Sequence, residues 1–254
     1  MPPLPEVFLL LAAACAAGAV NAVAGGGTLI TFAVLVASGM PAIQANATST
    51  VALLVGIVGS LYGYRSHLPA ARPWIKNFGI VSIVGGLLGA YLLTVTNPLF
   101  FERLVPFLIL FATCLFLGGD VLGRVRTLGT SLASIAVALA LQFGVAIYGG
   151  YFGAGIGILM LASLGFLGLR NIHEMNAIKT VLAALINLVA AAYFIFSGLV
   201  LWPQAIILTL GATLGYYGGA TFAQKISQTQ VRRLVGVIGG ILAIIFFWKQ
   251  FFGK

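Results

Sequence analysis

Apolar runs about as long as a bilayer is thick recur along the whole chain, and that recurrence constrains the fold more than any other feature. The stretches Ile43 to Tyr64, Trp74 to Val95, Leu99 to Leu117, Glu174 to Ser197, Pro203 to Ala223 and Val231 to Trp248 each approach or exceed the ~20 residues with which a helix crosses a hydrocarbon core. Of the 254 residues 61% are hydrophobic and 7% charged, far from the roughly 45–50% and 25% of soluble domains. Membrane β-strands alternate over about ten residues, a pattern these runs lack. The reading is an all-α integral membrane protein.

The first residues, "MPPLPEVFLLLAAACAAG", resemble a secretory signal in their small residues before Cys15 but lack its basic leader, so they are read as a retained first segment. Cys15 and Cys114 both fall in apolar runs and are read as membrane-embedded thiols. The net charge of +9 does not point to nucleic acid, because the thirteen Lys and Arg are spread over segment ends instead of gathered on one face.

Shifted by 130 positions, residues 46–105 align with 176–235 without a gap. Asn46, Ala47, Thr50 and Val51 meet Asn176, Ala177, Thr180 and Val181; Pro73 meets Pro203; Gly85, Gly89 and Ala90 meet Gly215, Gly219 and Ala220; Arg103 meets Arg233. Such self-similarity marks a duplicated unit. Positive charge swaps sides between the copies: 65–76 holds Arg65, Arg72 and Lys76 where 195–206 holds none, and 225–233 holds Lys225, Arg232 and Arg233 where 95–103 holds Arg103 beside Glu102. Under the positive-inside rule the copies therefore face opposite ways.

Inversion requires an odd number of segments per half, here five: two shorter pieces around a glycine tract (6–24 and 28–38; 130–148 and about 154–168), then three full spans. The expected organisation is a first membrane repeat over 1–120, a cytoplasmic connecting loop over 121–129, and a second repeat over 130–254, with both termini outside. Eight full spans, four in each half, are the alternative. Lys249 and Lys254 fall on the wrong side of the five-segment scheme.

The glycine tracts are "GGGT" (Gly25, Gly26, Gly27, Thr28) and "GAGIG" (Gly153, Gly155), aligned by a shift of 128. Glycine inside a helix costs roughly 1 kcal/mol relative to alanine, and within lipid an interrupted helix is tolerated only where it is buried in protein or lines a cavity. Short helices opening at Thr28 and Ile156 would aim backbone N–H groups and the positive end of the helix dipole at the protein centre, which favours an anion. The glycines of "VGGLLGA" and "GYYGGA", which no polar residues accompany, are read as close helix-packing surfaces.

Polar residues open the third segment of each half: "IQANATST" supplies Asn46, Thr48 and Ser49, and "HEMNAIKT" supplies Asn176 and Lys179. Asn46 and Ser49, like Asn176 and Lys179, are three apart and share a helix face. A lysine inside a membrane segment suggests function, although Lys179 lies only five residues beyond Glu174 and could reach the cytoplasmic surface. The candidate substrate-binding set is therefore Gly25, Gly26, Gly27, Thr28, Asn46, Thr48, Ser49, Gly153, Gly155, Asn176 and Lys179. No metal or cofactor is called for.

At "NAVAGGGTLITFAVLVASGMPAIQANATSTVALLVGIVGSLYGYR" and "GGYFGAGIGILMLASLGFLGLRNIHEMNAIKT" the chain resembles the TauE/SafE family of membrane permeases, also called the sulfite exporter or TSUP family. The resemblance implies a permease of the bacterial cytoplasmic membrane that moves a small anion, sulfite or an organosulfur compound such as a sulfonate. It carries the glycine breaks and Asn46, whereas Lys179 comes from the residues alone.

The expectation is a secondary transporter in which one repeat rocks against the other around an anion, driven by a proton or the membrane potential. A passive anion channel shares the architecture. A membrane-embedded enzyme needs clustered carboxylates, a metal triad or a nucleophile with its base, and Glu6, Glu102, Asp120 and Glu174 all sit near segment ends, so the chain is read as no enzyme. Monomer and homodimer are left open.

Overall fold

The computed structural model describes residues 2–23, 26–63, 65–122, 132–167, 169, 171–222 and 228–251. They form ten α-helices: α1 (Leu4–Val23), α2 (Gly27–Ala37), α3 (Ala42–Gly63), α4 (Leu68–Val95), α5 (Pro98–Leu122), α6 (Leu132–Tyr151), α7 (Ile156–Phe166), α8 (Ile172–Phe196), α9 (Trp202–Phe222) and α10 (Gln228–Phe251). Among the described residues there is no strand. Each half has four long helices and one of 11 residues, α2 or α7. At 1.5 Å per residue the short helices reach about 16 Å, half of a hydrocarbon core.

The order and partners of the helices repeat between halves. α1 packs on α9 as α6 packs on α4, α3 on α9 as α8 on α4, α1 on α2 as α6 on α7, while α5 meets α10 and α3 meets α8. Directions follow from the contacts. Leu11 faces Gly211 and Cys15 faces Gly215, so α1 and α9 are parallel; Ser82 faces Gln142 and Gly89 faces Ile147, so α4 and α6 are parallel too. α5 and α10 run antiparallel: Phe107 meets Phe247, Thr113 meets Gly239 and Leu117 meets Gly236. In the register of 130, α10 is the counterpart of α5. A helix antiparallel to its own counterpart requires a two-fold axis lying across the helices, which is the geometry of an inverted repeat.

These directions bring the start of α1 and the end of α10 to one face. The opposite face collects the helix ends joined by segments whose sequences carry Arg65, Arg124, Arg126, Arg170 and Lys225, with Arg72 and Lys76 early in α4 and Arg232 and Arg233 early in α10. Among the described residues Arg65, Arg72, Lys76, Arg232 and Arg233 thus gather toward the face away from the termini, while Arg103 at the start of α5 and Lys249 at the end of α10 lie toward the face of the termini. Most of the expected connecting loop, from 123 onward, lies outside the described residues, as does Lys254.

The start of α4 departs most from the sequence expectation. α4 begins at Leu68, not Trp74, with Pro69 in its first turn. Proline is at home there because its missing N–H would have had no helical partner anyway. Arg72 and Lys76 consequently ride on the helix instead of a loop.

The tightest contacts are those made by "VGGLLGA" and "GYYGGA". A Cβ added to Gly215 would stand 2.0 Å from the carbonyl oxygen of Cys15, and one on Gly89 would stand 2.0 Å from that of Ile147. No side chain fits at such a crossing, so α1 and α9, and α4 and α6, approach backbone to backbone. Cys15 and Cys114 are free thiols with exposed side chains. Ile80, Phe100, Ile206, Leu214 and Ile244 are among the large apolar side chains on the outward surface of α4, α5, α9 and α10, which is the belt that lipid tails cover.

Gly215→Ala and Gly89→Ala should each lower stability by about 1–3 kcal/mol through overpacking, whereas Gly144→Ala, with no atom within 4 Å of its added Cβ, should be neutral. Melting of the detergent-solubilised protein checks the contrast. Equal effects at all three positions would contradict the packing.

Candidate functional site

Both glycine tracts interrupt helix within the depth of the bundle. A Cβ on Gly27 would lie 2.1 Å from the carbonyl oxygen of Ala17, so α2 starts six residues, about 9 Å, short of the end of α1 at Val23 and returns alongside it. In the second half α6 ends at Tyr151 beside Gly89, six residues before α4 ends at Val95. The two breaks therefore enter from opposite faces and meet near the middle. Phe116 of α5 lies against both: its ring is 2.4 Å from a Cβ placed on Gly26 and 3.6 Å from one placed on Gly155.

The break in the second half uses glycine for its backbone. Gly153 and Gly155 have φ of +79° and +80°, the left-handed region that side-chain-bearing residues adopt only at a cost of roughly 1–2 kcal/mol. Gly155 is the N-cap of α7, which no side chain caps. The freed carbonyl of Ala154 accepts the Tyr148 hydroxyl at 2.8 Å. At the first break the Asn21 Oδ1 atom accepts the N–H of Gly27 at 2.7 Å. The first donor of α2 is thus already satisfied, which alters the expectation that both helix starts present bare amides.

A cavity of about 70 Å³ lies between the breaks, lined by Asn21, Ala22 and Thr28 from the first, by Gly153, Ile156 and Gly157 from the second, and by matching faces of α3 and α8. Thr50, Leu53 and Ile57 of α3 occupy the positions that Thr180, Ala183 and Asn187 occupy on α8, and Lys179 and Tyr216 complete the wall. Lys179 is buried, 7% exposed, and it is the one cation of this lining, which contains no carboxylate. A ring of amide and hydroxyl groups around one ammonium is suited to a small anion.

Of the residues singled out from sequence, Thr28, Gly153 and Lys179 line the cavity, and Gly26, Gly27 and Gly155 shape the breaks beside it. Gly25 lies outside the described residues. Asn46, Thr48 and Ser49 instead occupy a layer next to the cavity toward the face of the termini. There the Asn46 amide donates to the Tyr151 carbonyl at 3.0 Å, Ser49 bonds to Thr31, and the Thr48 hydroxyl accepts the Leu201 N–H at 3.1 Å. Phe32 meets Phe152 edge-on at 5.3 Å in the same layer. Asn176 is buried on α8 and does not line the cavity.

Sequence reasoning missed Asn21, Thr50, Thr180, Asn187 and Tyr216. A signal for Asn187 was present, because it lies eight residues beyond Lys179 and so on the same face of α8. Tyr216 was hidden by its neighbours. It stands where the first repeat has Gly86, and its ring fills the space over Gly56, with 2.0 Å between a Cβ there and the ring.

Beyond the Asn46 layer lies a basin in two lobes of about 500 and 250 Å³ that share Pro41, Ala42 and Glu102. It is bounded by the turn between α2 and α3, the start of α5 and the end of α10.

The sequence profile described as "Sulfite exporter TauE/SafE" matches residues 10–246. The chain belongs to that family. Curated relatives include a "probable membrane transporter protein" of Haemophilus influenzae, 30% identical over 91% of this chain and 90% of the relative, and one of Sinorhizobium, "ORF9", 29% identical over 92% and 90%. A third, "YfcA" of Escherichia coli K12, is 25% identical over 92% of this chain and 87% of the relative. No solved structure matches the chain. Family and fold together make this a multi-pass membrane protein of a transporter family.

Gly155→Ala should destabilise the fold by about 1–2 kcal/mol, since its φ is +80° while the nearest atom to an added Cβ is an unhindered 3.5 Å away. The cost is conformational alone. A melting temperature equal to the wild type would show that the break does not hold its left-handed turn.

Proposed function

We propose that the chain is a secondary transporter that moves a small anion, sulfite or an organosulfur anion such as a sulfonate, across the cytoplasmic membrane by alternating access. The observation that carries this reading is the central cavity, reached by both helix breaks and provided with one buried cation, Lys179. The positive end of the α7 dipole and the hydroxyls of Thr28, Thr50, Thr180 and Tyr216 supply further donors to an anion there. The positive-inside rule places the arginine- and lysine-rich face in the cytoplasm and the basin outside.

Inverted repeats supply the motion. If one half tilts against the other, contacts between the halves must open on one side and close on the other. The hydrogen bonds from Asn46 to Tyr151 and from Leu201 to Thr48 join the two halves between cavity and basin. They form the closed outer barrier in this conformation. The energy source is a proton or the membrane potential acting on the charged substrate.

Lys179→Gln should lower anion flux into proteoliposomes at least tenfold while leaving a folded, monodisperse protein, and Gly26→Leu, which presses on Phe116 and Val235, should block it as well. In the wild type, a bound substrate raises apparent stability by about 2.7 kcal/mol at a hundred times its dissociation constant. Thermal shifts against sulfite, sulfate, thiosulfate, sulfonates and carboxylates thus identify the class. Full flux in both variants would remove the site assignment.

A further inference from the structure

Two corresponding helix crossings carry a large residue over a small one, placed in opposite senses. In the register of 130, Gly56 of α3 corresponds to Ile186 of α8, and Tyr216 of α9 corresponds to Gly86 of α4. Where α3 crosses α9 the small residue is on α3: a Cβ on Gly56 would stand 2.0 Å from Cδ2 and 2.2 Å from Cε2 of the Tyr216 ring. Where α8 crosses α4 the small residue is on α4: a Cβ on Gly86 would stand 3.1 Å from the Cα of Ile186. Only the first crossing reaches the cavity. Tyr216 is the one aromatic residue of its lining, together with Leu53 and Ile57 on either side of Gly56, whereas Gly86 and Ile186 are not part of it.

The ring has little freedom to retreat. α9 packs on both α1 and α3, and a Cβ on Gly18 of α1 would stand 2.3 Å from the Ala212 carbonyl oxygen and 2.8 Å from the Tyr216 backbone nitrogen. The helix that carries the ring is thus already in backbone contact with α1. Tyr216 itself is 5% exposed. The cavity it bounds has about 70 Å³, roughly the share of two water molecules in the liquid. That space holds a central atom with three or four small substituents and leaves none for an attached chain.

We infer that Tyr216 is a specificity-determining residue of the cavity, whose ring limits the bound anion to an inorganic oxoanion or a sulfonate carrying no more than a methyl group. This rests on the anion-transport reading above and narrows its substrate class. Lys179 and the threonine hydroxyls meet the charged head group, which sulfite and every sulfonate share, so they do not sort anions by length. The wall of Tyr216, Leu53 and Ile57 meets what is attached to the sulfur. In a close-fitting apolar pocket one methylene changes discrimination about 10- to 200-fold.

The test measures dissociation constants of sulfite, methanesulfonate, ethanesulfonate and propanesulfonate by titration calorimetry of the detergent-solubilised protein. The wild type should bind methanesulfonate at least about 10-fold more tightly than propanesulfonate, and Tyr216→Ala should bring the two within about 3-fold. Tyr216→Phe keeps the ring and loses the hydroxyl, so it should weaken all four anions together and leave the ratio where it was. Because a large void can unfold a variant by itself, a second arm transplants the arrangement of the other half. Gly56→Ile alone should melt far below the wild type, since its Cβ meets the ring. Adding Tyr216→Gly should restore melting and give the relaxed ratio, because the corresponding Ile186 stays off the cavity.

A methanesulfonate-to-propanesulfonate ratio that is the same in the wild type and the ring-less variants overturns the inference and leaves the anion site standing. So does a wild type that binds both sulfonates equally. Failure of Tyr216→Gly to rescue Gly56→Ile removes its structural premise. No binding of any of the four anions, in the wild type or in Tyr216→Ala, removes the anion-transport reading and this inference with it.

Discussion

An amide group in hydrocarbon has no water to bond, and the architecture is arranged around that fact. An interrupted helix inside a bilayer leaves N–H and C=O groups without their helical partners, each costing several kcal/mol unless something else bonds them. The protein keeps two such interruptions by surrounding them. Asn21 takes the Gly27 amide, Tyr148 bonds the Ala154 carbonyl, and α5 lays Phe116 across both breaks. α3, α4, α8 and α9, packed through glycine crossings, then exclude lipid from the result. The cavity is what remains when two half-length helices start inside the bundle and neither continues through.

The interruptions and the duplication are linked. One short helix directs its positive end from one side only, and a half molecule of five segments exposes the face that α3 and α8 bury against each other. Pairing the unit with an inverted copy brings a second break to the same depth from the opposite side. The copies have since diverged where they meet. Ser49 bonds Thr31 in one half, where its counterpart Lys179 turns to the cavity in the other. Ile57 corresponds to Asn187, and Gly56 lies under Tyr216 where Gly86 lies under Ile186. Backbone symmetry is preserved while side-chain symmetry is not, so the two halves contribute unequally to the cavity lining.

Much of this was legible in the residues themselves. Run lengths gave the all-α membrane class, the shift of 130 paired the helices, and swapped basic loops gave the inversion that α5 and α10 display in their antiparallel packing. The breaks were visible because glycine in series is costly in a helix and so demands a reason. Less legible was which side of a helix faces inward. Asn46, Thr48 and Ser49 share their stretch with Thr50, and only Thr50 reaches the cavity. Ser49 bonds Thr31 within its own half, while Asn46 and Thr48 bond across the interface between halves, a placement that depends on Tyr151 and Leu201, more than a hundred positions away. Tyr216 and Asn21 were missed for a similar reason: each has a role only through a partner on another helix.

The placement of the hydrogen bonds around Asn46 bears on how such a molecule moves. Asn46 is 1% exposed, and its Oδ1 has no hydrogen-bond partner among the described residues while its amide donates to Tyr151. A barrier of well-packed apolar side chains alone would part at a cost set by the area exposed. One held by a few buried polar bonds parts when those groups find another partner, such as water entering from the basin as the halves tilt. Under the transport reading proposed above, Asn46 would be bonded across the interface when the outer side is closed and hydrated when it is open. A buried amide with one satisfied and one unsatisfied end makes a seal less deep than an apolar one of the same size, which on that reading would keep two conformations close enough in free energy for a substrate to shift one into the other.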